Sequence, residues 1–426
     1  MKTLSVINFV IAVIFAVCYL YQFTFIPIVW IKKRFLKKSS AVKEHRFAVL
    51  ICARNEADVI ADLLASIKNQ TYPADLITTF VLADNCTDKT TDISRNNGAI
   101  VYERYNQELI GKGYALEALL SHVKDDYGDT FDGYFVFDAD NILAANYIEE
   151  MNKTFSDGHD IVTSYRNSKN YGSNWISAGY ALWFLRESRY LNQARFLSGT
   201  SCAVSGTGFL FSRDVLNDID GWPFHMLTED IEFSINRIIN GYKIAFCDTA
   251  ELYDEQPVLF RESWNQRMRW SKGYLQVFKG YGKDLVQGIF KGSFSCFDMC
   301  MTIMPAYILS ALSVISNVCF GVWGAIVGDD IMIAVLSIGQ TLWNMYLVLF
   351  IIGLITTITE WKHINTEWYK KILYVITFPF FMFTYIPISF VAIFANTTWQ
   401  PIKHTYSVKK LAKEGYINIA DIISNK

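Results

Sequence analysis

The sequence predicts an α/β domain with a mostly parallel sheet, flanked towards both ends of the chain by transmembrane or interfacial helices. In the middle of the chain, short apolar runs rich in β-branched and aromatic residues alternate with helical patterns, which is typical of such a sheet. Several of these runs end in acidic side chains. Long uncharged stretches are concentrated near the two ends of the 426-residue chain, and they predict membrane segments there.

The composition agrees with a membrane protein and excludes one class of partner. Hydrophobic residues make up 52% and aromatic residues 15% of the sequence, which is high for a soluble protein. The formal net charge is only −2, so we expect no nucleic-acid partner. The eight cysteines show no paired spacing of the zinc type, and we expect them to be reduced and buried as small hydrophobic residues.

Residues 1–31 predict an N-terminal transmembrane helix. No charged residue lies between Thr3 and Ile31, and this stretch is long enough to cross a bilayer once. A basic block at residues 32–38 follows, which by the positive-inside rule places Met1 outside and the next region in the cytoplasm. A cleaved signal peptide fits less well, because the run is too long, lacks a small-residue cleavage site and has its basic cluster on the wrong side.

A cytoplasmic domain is predicted over residues 45–283. Its first elements are, in chain order, a strand at 47–53, a helix around Leu63 and Ile67, strands at 79–83 and 100–102, a helix at 111–123 and a strand beginning at Gly133. The pattern is more mixed from about 160 to 253. Residues 264–283 predict a helix and a loop rich in Arg, Lys and Trp, whose aromatic side chains also suit packing against a membrane surface.

Four carboxylates follow predicted strands. Asp138 and Asp140 end the strand that begins at Gly133, while Glu56 and Asp84 follow the first and second strands. Ligands of parallel sheets bind at the carboxyl ends of the strands, so we expect these side chains to form one site. Two hard oxygen ligands at a strand end suit Mg²⁺ or Mn²⁺ holding a diphosphate, although Asp138 and Asp140 alone also fit a solvated turn.

Two further motifs carry candidate catalytic residues. The first is Thr228-Glu229-Asp230, and the second is Gln266-Arg267-Met268-Arg269-Trp270. A carboxylate pair suits proton removal, and the charge of Glu229 is expected to raise the pKa of Asp230. The same acids also suit the first turn of a helix that starts near Ile231, so a purely structural interpretation stays open.

The C-terminal region, residues 284–402, contains three apolar runs, at 299–328, 331–359 and 372–402. Three crossings from a cytoplasmic domain would put the tail, residues 403–426, outside the membrane. That outcome conflicts with the positive-inside rule, because the tail carries four lysines close to the last run.

Prolines resolve this conflict. Pro379 and Pro387 interrupt the last apolar run, and a helix broken twice can lie along the interface or re-enter without crossing. We therefore predict three true spans in the whole chain, one of them N-terminal, together with one interfacial or re-entrant segment. The tail is then cytoplasmic.

Taken in this order, the motifs resemble those of the membrane-embedded inverting family 2 glycosyltransferases, which include cellulose, chitin, hyaluronan and poly-N-acetylglucosamine synthases. The resemblance covers roughly residues 45–405. Its most specific part is Gln266-x-x-Arg269-Trp270 downstream of Thr228-Glu229-Asp230, which in that family marks processive synthases. It implies a GT-A fold, a divalent cation and a uridine diphosphate sugar as donor.

The resemblance also implies roles for individual residues at the donor side. Ala53, Asn55 and Glu56 are expected to surround the nucleotide, Asp84 to bind its uracil and ribose, and Lys112 to approach the diphosphate. Asp138 and Asp140 are expected to coordinate the metal.

For the chemical step and the acceptor, the resemblance implies a second group of residues. Asp230, beside Glu229, is the expected general base, and Arg269 is expected to stabilise the leaving diphosphate. Trp270 is expected to stack on a sugar of the acceptor, and Gln266 to lie nearby. The turn at Thr207, Gly208 and Phe209 is expected on the acceptor side. Trp399 begins a segment expected to close over the nucleotide.

The sequence favours a processive inverting synthase that polymerises a β-glycan from UDP-glucose and passes it across the plasma membrane. A polymer synthase that uses UDP-N-acetylglucosamine, or transfer of one hexose to a membrane lipid, stays open as an alternative. A transporter that only binds nucleotide fits less well, because the carboxylates lie in the middle domain and not in the spans. The expected partners are the donor, a growing glycan and the bilayer; a secretion partner is left open.

Overall fold

The computed structural model describes residues 2–32, 42–327 and 331–413. Most of the basic block at 32–38 and the last part of the predicted tail, 414–426, lie outside the described residues.

The described residues form one sheet of eight strands. The strands are β1 (Phe47–Ala53), β2 (Ile77–Asp84), β3 (Ile100–Arg104), β4 (Gly133–Asp138), β5 (Ile142–Leu143), β6 (Ile161–Ser168), β7 (Phe209–Ser212) and β8 (Ile244–Asp254). Their order across the sheet is β3-β2-β1-β4-β7-β6-β8-β5. The pairs β3–β2, β2–β1, β1–β4 and β6–β8 are parallel, and β7 runs antiparallel to both of its neighbours. The mostly parallel α/β fold is therefore confirmed.

Helices cover the sheet and extend beyond it at both ends of the chain. In the domain they are α3 (Ile60–Lys68), α4 (Thr90–Asn96), α5 (Lys112–Tyr127), α6 (Tyr147–Ser156), α7 (Trp175–Arg186), α8 (Gln193–Leu197), α9 (Arg213–Asp218), α10 (Glu229–Ile239), α11 (Phe260–Phe290) and α12 (Phe294–Ile303). The others are α1 (Lys2–Tyr19), α2 (Tyr21–Lys32), α13 (Pro305–Val327), α14 (Ile331–Thr359), α15 (Trp368–Phe383), α16 (Tyr385–Phe394) and α17 (Val408–Lys413).

Both faces of the sheet are buried, which explains why its central strands are continuously apolar. On one face Leu50 and Leu82 pack with the apolar side of α5, and on the other Val49 and Val81 pack with α3 and α6. The parallel register aligns the ends of β1, β2 and β4, since Ala53 lies beside Ala83 and Cys52 lies beside Asp138. The strand ends that carry acidic residues are thus brought to one edge.

Helix α11 corrects the prediction of a helix and a loop at 264–283, because it continues without interruption from Phe260 to Phe290. Its length is explained by its partners. The side chain of Arg267 is fully buried and donates hydrogen bonds to Phe381 O at 3.2 Å and Thr384 Oγ1 at 2.6 Å. Lys272 Nζ donates to Ala392 O at 3.2 Å. Tertiary contacts with α15 and α16 therefore support the polar side of this helix.

Three helical segments among the described residues are long and apolar enough to cross a membrane: Val6–Lys32, Ile338–Thr359 and Trp368–Phe394. Helix α13 has no charged residue among its 23 residues and is predominantly apolar. The segment Trp368–Phe394 is interrupted at Thr384, between α15 and α16, close to the two prolines that predicted a break.

Both ends of Trp368–Phe394 contact the α/β domain. Near its start, Lys370 Nζ donates to Gly172 O at 3.0 Å, and near its end Ala392 O accepts from Lys272. The loop before it contacts the domain as well, since Asn167 Nδ2 donates to His363 O at 2.8 Å. Both ends of the segment therefore contact the domain.

The tail returns to the domain. Both backbone N–H groups of Thr405 and Tyr406 donate to the carboxylate of Glu255, at 2.9 and 2.8 Å. Asp62 Oδ2 accepts from the N–H of Val408 at 2.7 Å, at the start of α17. The start of the tail is therefore packed against the α/β domain, and the side of the membrane on which it lies stays a prediction from the charges.

Candidate active site

One cavity of about 1210 Å³ contains all four carboxylates that were predicted to converge. Its acidic lining residues are Glu56, Asp84, Asp138, Asp140, Glu187, Glu229, Asp230, Asp254 and Glu255. The cavity also extends between the apolar helices. The four carboxylates therefore lie in one site at the carboxyl ends of the strands, and not in four separate surface loops.

Asp138 ends β4 and is held by a lysine. Lys112 Nζ forms an ion pair with Asp138 Oδ1 and donates a second hydrogen bond to Gly206 O at 2.6 Å. Burial acts to lower the pKa of Lys112, but the charges of Asp138 and Glu229 outweigh it, and the pKa is raised. A cation is therefore fixed where a diphosphate would lie near the first turn of α5.

Asp140 is buried and held by groups from β8 and the tail. Its Oδ2 accepts a hydrogen bond from the N–H of Glu255 at 2.7 Å. Burial acts to raise the pKa of Asp140, but the charges of His404, Lys169 and Arg166 outweigh it and lower the pKa below its ordinary value. Asp140 is therefore an ionised oxygen donor.

Glu229 and Asp230 lie in the first turn of α10, at the cavity. Burial raises the pKa of both carboxyl groups, and the charge of Asp230 raises that of Glu229 further. A Cβ added at Gly206 would lie 3.6 Å from Asp230 Oδ2, so this carboxylate faces a narrow backbone turn. The geometry fits both the structural and the catalytic interpretation of these acids, because the two side chains lie at the start of a helix and also face the cavity.

A glycine allows α11 to approach this pair. A Cβ at Gly273 would lie 2.5 Å from Thr228 Oγ1, so any side chain there would push α11 away from the start of α10. On the same helix, Arg269 Nη1 donates to Leu227 O at 2.8 Å. Leu227 immediately precedes the acidic motif, which places the guanidinium beside it.

Gln266, Arg269 and Trp270 all line the cavity. Trp270 packs edge-on against Tyr180, with ring centroids 5.7 Å apart. Gln266 Oε1 is buried and has no hydrogen-bond partner within the described residues. An unpaired buried acceptor is costly unless a ligand or water satisfies it, so the amide is available to a bound molecule.

Three of the residues expected around the nucleotide line the cavity, and the fourth is exposed in the loop after β1. Ala53, Glu56 and Asp84 line the cavity, and Asp84 Oδ1 forms an ion pair with Arg104 Nη1 at 2.6 Å. Asn55 instead has a positive φ of 58° and its exposed side chain accepts a hydrogen bond from Thr87 N at 2.8 Å. Its observed contact shapes the loop after β1.

The structure places the turn expected on the acceptor side next to the cavity but outside its lining. Thr207, Gly208 and Phe209 do not line the cavity. Phe209 is 1% exposed and stacks in the core on Trp222, at a centroid distance of 6.3 Å. Gly208 is required by packing, because a Cβ there would overlap the side chain of Leu252. Thr207 Oγ1 accepts from the N–H of Asp138 at 2.9 Å, so it positions a carboxylate.

Sequence analysis missed an ion pair in the cavity. Arg166, near the end of β6, donates through Nε to Asp254 Oδ2 at 2.6 Å and lies 3.7 Å over the ring of Phe184. Burial raises the pKa of Asp254 to about 6 despite the nearby guanidinium. The rule that selected Asp84 and Asp138, namely a polar residue at the end of a strand, also selects these two.

The segment that follows Trp399 covers one side of the site. Arg54 lies 5.3 Å from the ring centroid of Trp399, and His404 Nδ1 is 3.0 Å from Glu56. Burial acts to lower the pKa of His404, but Asp140 and Glu56 outweigh it and raise the pKa to about 10. His404 is therefore a cation at neutral pH.

His225 is not part of the site. It stacks on Tyr114 at a centroid distance of 4.1 Å, and its Nε2 is 2.9 Å from Glu117. No cluster of three or more His, Cys, Asp or Glu side chains with metal-binding geometry occurs in the described part of the chain. Asp138 and Asp140 fit Mg²⁺ or Mn²⁺ in a site that phosphate oxygens complete, because such ions often take only one or two protein carboxylates.

A family comparison agrees with this geometry. The model of the family described as glycosyltransferase like family 2 matches residues 45–273, which includes the sheet, the acidic pairs and α11 as far as Gly273. The chain belongs to this family. Its α/β domain therefore has the GT-A-like fold of a family 2 glycosyltransferase, with apolar helices towards both ends of the chain.

Curated relatives of the enzyme have diverse names. A probable glycosyltransferase, YdaM, of Bacillus subtilis is 27% identical over 282 residues, covering 59% of this chain and 62% of that protein. A beta-monoglucosyldiacylglycerol synthase of Nostoc is 24% identical, with 63% and 57% covered. A poly-beta-1,6-N-acetyl-D-glucosamine synthase of Staphylococcus aureus is 26% identical, with 54% of each covered. The enzyme spans between 54% and 62% of the length of these relatives.

A solved structure shares the fold over most of the enzyme. It is a mannosyltransferase from Pyrobaculum calidifontis in complex with GDP-Man and Mn²⁺. The TM-score is 0.56 at 16% identity, and the match covers 91% of this chain and 98% of that one. The shared architecture includes residues beyond the family match.

Proposed function

We propose that the enzyme transfers one hexosyl residue from a uridine diphosphate sugar, UDP-glucose being favoured, to a membrane lipid with inversion. The observation that carries this proposal is the continuity of the cavity. The same space that holds Asp138 and Asp230 extends between the helices α1, α13 and α14.

The lining of the membrane-side part supports a lipid acceptor. Apolar side chains from α1, such as Ile11 and Phe15, face the cavity together with Leu342, Leu349 and Ile352 of α14. Polar side chains line it too, but Asn8 and Asn317 hydrogen-bond each other and Asn344 Oδ1 accepts from Gln340. No Asp, Glu, Lys or Arg of the described parts of α1, α13 or α14 lines it. Burying a methylene contributes about 0.8 kcal/mol, whereas a sugar hydroxyl without a partner costs about 1–3 kcal/mol. This space therefore suits an acyl or prenyl chain better than a hydroxyl-rich glycan.

Named residues meet the demands of a single in-line displacement. Asp230, whose raised pKa makes it a better base, takes the proton of the acceptor hydroxyl as the oxygen attacks the anomeric carbon. Lys112 and Arg269 stabilise the charge that develops on the leaving diphosphate. Asp138 and Asp140 hold the divalent cation, which supplies further charge neutralisation when bound. Attack from the side opposite the leaving group inverts the configuration.

We further propose the membrane placement predicted from the sequence. The helices α1–α2, α13 and α14 cross the bilayer, and α15–α16 lies along its inner surface, because both ends of that pair contact the domain. The basic block at 32–38 places the domain and the tail in the cytoplasm of a multi-pass plasma-membrane protein.

A second candidate is a processive β-glycan synthase, using UDP-glucose or UDP-N-acetylglucosamine. One observation favours it: Gln266, Arg269 and Trp270, the motif typical of processive synthases, line the cavity. In that case Trp270 supports the polymer end, and the product passes through the helices or to a secretion partner.

One experiment separates the two candidates. The purified enzyme in detergent with added lipid extract is incubated with a panel of labelled UDP-sugars and Mg²⁺ or Mn²⁺. Single transfer predicts label that partitions into organic solvent and migrates as a lipid. Label that stays at the origin of a chromatogram, and is released by a linkage-specific glycosidase, would establish the processive synthase instead.

A further inference from the structure

We propose that the acceptor lipid carries a phosphodiester or diphosphate between its apolar chain and the accepting hydroxyl, and that Arg186 binds this phosphate. The inference rests on the proposed transfer to a lipid and names the chemical class of that lipid. A neutral glycerolipid, which has a hydroxyl but no phosphate, lacks the group that Arg186 would bind.

Arg186 is a cation in the cavity without an anionic partner. It ends α7 and lines the cavity. Its guanidinium donates through Nη2 to Gln22 Oε1 at 2.8 Å and lies 4.9 Å from the ring centroid of Trp183. No carboxylate of the described residues lies within ion-pair distance of it. Its remaining N–H donors are therefore available to a ligand.

Arg186 differs in its pairing from the arginines near it in the chain. Arg166, Arg189 and Arg195 lie on the same stretch of chain, and each forms an ion pair, with Asp254, Glu360 and Asp298 respectively. Burial and the charge of Arg195 lower the pKa of Arg186 to about 10, although the charge of Glu187 acts in the opposite direction. The guanidinium remains charged at neutral pH, and an anion beside it would offset the cost of burial.

The acid beside Arg186 is already engaged, and its contacts lead to the catalytic base. Glu187 Oε1 accepts a hydrogen bond from Ser205 Oγ at 2.5 Å. Ser205 precedes Gly206, whose Cβ position lies 3.6 Å from Asp230 Oδ2. The residue that follows Arg186 in the chain is thus hydrogen-bonded to the turn that faces Asp230, and Arg186 and Asp230 line the same cavity.

On its other side, Arg186 faces the membrane helices. Gln22, its hydrogen-bond partner, belongs to α2, and the cavity continues from there along Tyr19 and Phe15 of α1. A molecule that follows this wall meets a base, then a cation, then an apolar space. This order matches a lipid with a terminal hydroxyl, an inner phosphate and a hydrocarbon chain.

The phosphate takes no part in the bond changes. The acceptor hydroxyl oxygen forms a bond to the anomeric carbon, its proton passes to Asp230, and the bond from that carbon to the donor diphosphate breaks with its electron pair. Arg186 only positions the headgroup, since charge-assisted hydrogen bonds to phosphate are directional.

The test measures transfer in nanodiscs that contain one added acceptor at a time. The acceptors are phosphatidylglycerol, a polyprenyl diphosphate sugar, diacylglycerol and a polyprenyl phosphate. We expect label on one of the first two, and this distinguishes a phosphodiester from a diphosphate. Equal labelling of diacylglycerol would overturn the inference while leaving lipid transfer intact. Label on the polyprenyl phosphate would overturn it too, because the accepting atom would then be a phosphate oxygen.

Variants test the assigned residue. Arg186→Gln should raise the KM for the phosphate-bearing acceptor about tenfold to a hundredfold, and leave the KM for the donor unchanged. Arg186→Lys, which keeps the charge, should recover part of the loss. The matched control is Arg261→Gln, which removes an exposed arginine outside the cavity. If Arg186→Gln and Arg261→Gln had the same acceptor KM, the inference would be wrong.

The preference of the wild-type enzyme among the four acceptors tests the inference without any variant. The result therefore does not depend on whether a variant folds. If the enzyme labels no lipid but forms a polymer, the proposed function itself fails, and this outcome differs from the labelling of a neutral lipid.

Discussion

At the scale of single residues, Asp230 is distinguished from the other acids by its surroundings. It is partly buried, it faces a glycine turn, and burial raises its pKa. These properties suit a group that must accept a proton at neutral pH, whereas Asp140, which is held ionised by cations, suits metal binding.

Asp230→Asn should lower the rate of transfer about 10²–10⁴-fold, the usual contribution of a positioned general base. Donor binding should persist, because the amide keeps the shape of the side chain. Glu232→Gln on the same helix is the control, since that carboxylate binds Met226 N and Tyr281 OH and does not line the cavity. Steady-state transfer and UDP titration check both variants, and normal turnover of Asp230→Asn would contradict the assignment.

Removal of divalent cations should abolish transfer and weaken UDP binding. The reason is that Asp138 and Asp140 would then face the diphosphate without a cation between them. Calorimetric titration of UDP with and without a chelator measures the effect, and Mn²⁺ in excess should restore it. In Asp140→Asn the dependence of UDP affinity on Mn²⁺ should be largely lost; an unchanged dependence would remove Asp140 from the metal site.

At the scale of elements, α11 connects the site to the interfacial helices. Arg267 lies fully buried between Phe381 and Tyr385, at 4.4 and 4.9 Å from their ring centroids, and bonds the carbonyl exposed at the break between α15 and α16. It precedes Met268 and Arg269 on the same helix turn. A change at the break would therefore reach the catalytic face of α11.

Arg267→Met should lower the free energy of unfolding by about 1–3 kcal/mol, because buried acceptors at Phe381 and Thr384 lose their donor. The measurement is thermal inactivation in detergent against Arg261→Met, which removes an exposed arginine from the same helix. Equal stability of the two variants would show that the break does not depend on Arg267.

The loop between α14 and α15 should respond to pH. The hydrogen bond to Glu251 and the negative charges of Glu251 and Glu360 raise the pKa of His363. Burial and the positive charge of Arg189 act to lower it, but they do not outweigh the acids. Protonated His363 therefore stabilises the docked loop below its ordinary pKa, and this contribution is lost as the pH rises through the raised value.

Hydrogen exchange of residues 360–367 should accordingly become faster, relative to the intrinsic rate, as the pH rises above the ordinary pKa of a histidine side chain. In His363→Gln this pH dependence should disappear. His122→Gln, which removes a histidine stacked on Tyr102, is the control and should retain it. A pH-independent wild-type loop would contradict the prediction.

At the scale of the whole molecule, topology follows from which segments contact the domain. The start and end of Trp368–Phe394, and the tail after it, all make hydrogen bonds with the α/β domain. On the placement proposed above, α13 and α14 form the pair that leaves the domain and returns to it, and α15–α16 does not cross the bilayer. These contacts and the distribution of lysines both support that proposal.

Single cysteines introduced in a Cys319→Ser background should report this topology. Lys362→Cys and Ser407→Cys should react with a membrane-impermeant maleimide only in inside-out vesicles. Met332→Cys, at the start of α14, should react only in right-side-out vesicles. Opposite accessibility of positions 362 and 407 would mean that α15–α16 crosses the bilayer.

Periodicity and the chemistry of strand ends were sufficient to predict much of this protein. The parallel sheet and the meeting of Glu56, Asp84, Asp138 and Asp140 follow from local pattern, because strand direction is a local property. The prolines predicted two breaks in the last apolar run, whereas the structure has one, at Thr384, and Pro379 lies inside α15. The resemblance added the family. Charge near the last apolar run predicted a tail on the side of the domain.

Tertiary structure alone decided the rest, because burial and pairing depend on residues distant in sequence. It placed Phe209 in the core, continued α11 through a predicted loop, and left Gln266 Oε1 without a hydrogen-bond partner in the part of the chain that the structure describes. It also showed that Arg186 differs from three paired arginines near it. The sequence determined which charges the chain possesses, and only the fold decided which of them is left for a ligand, since an ion pair exists only where packing brings both partners together.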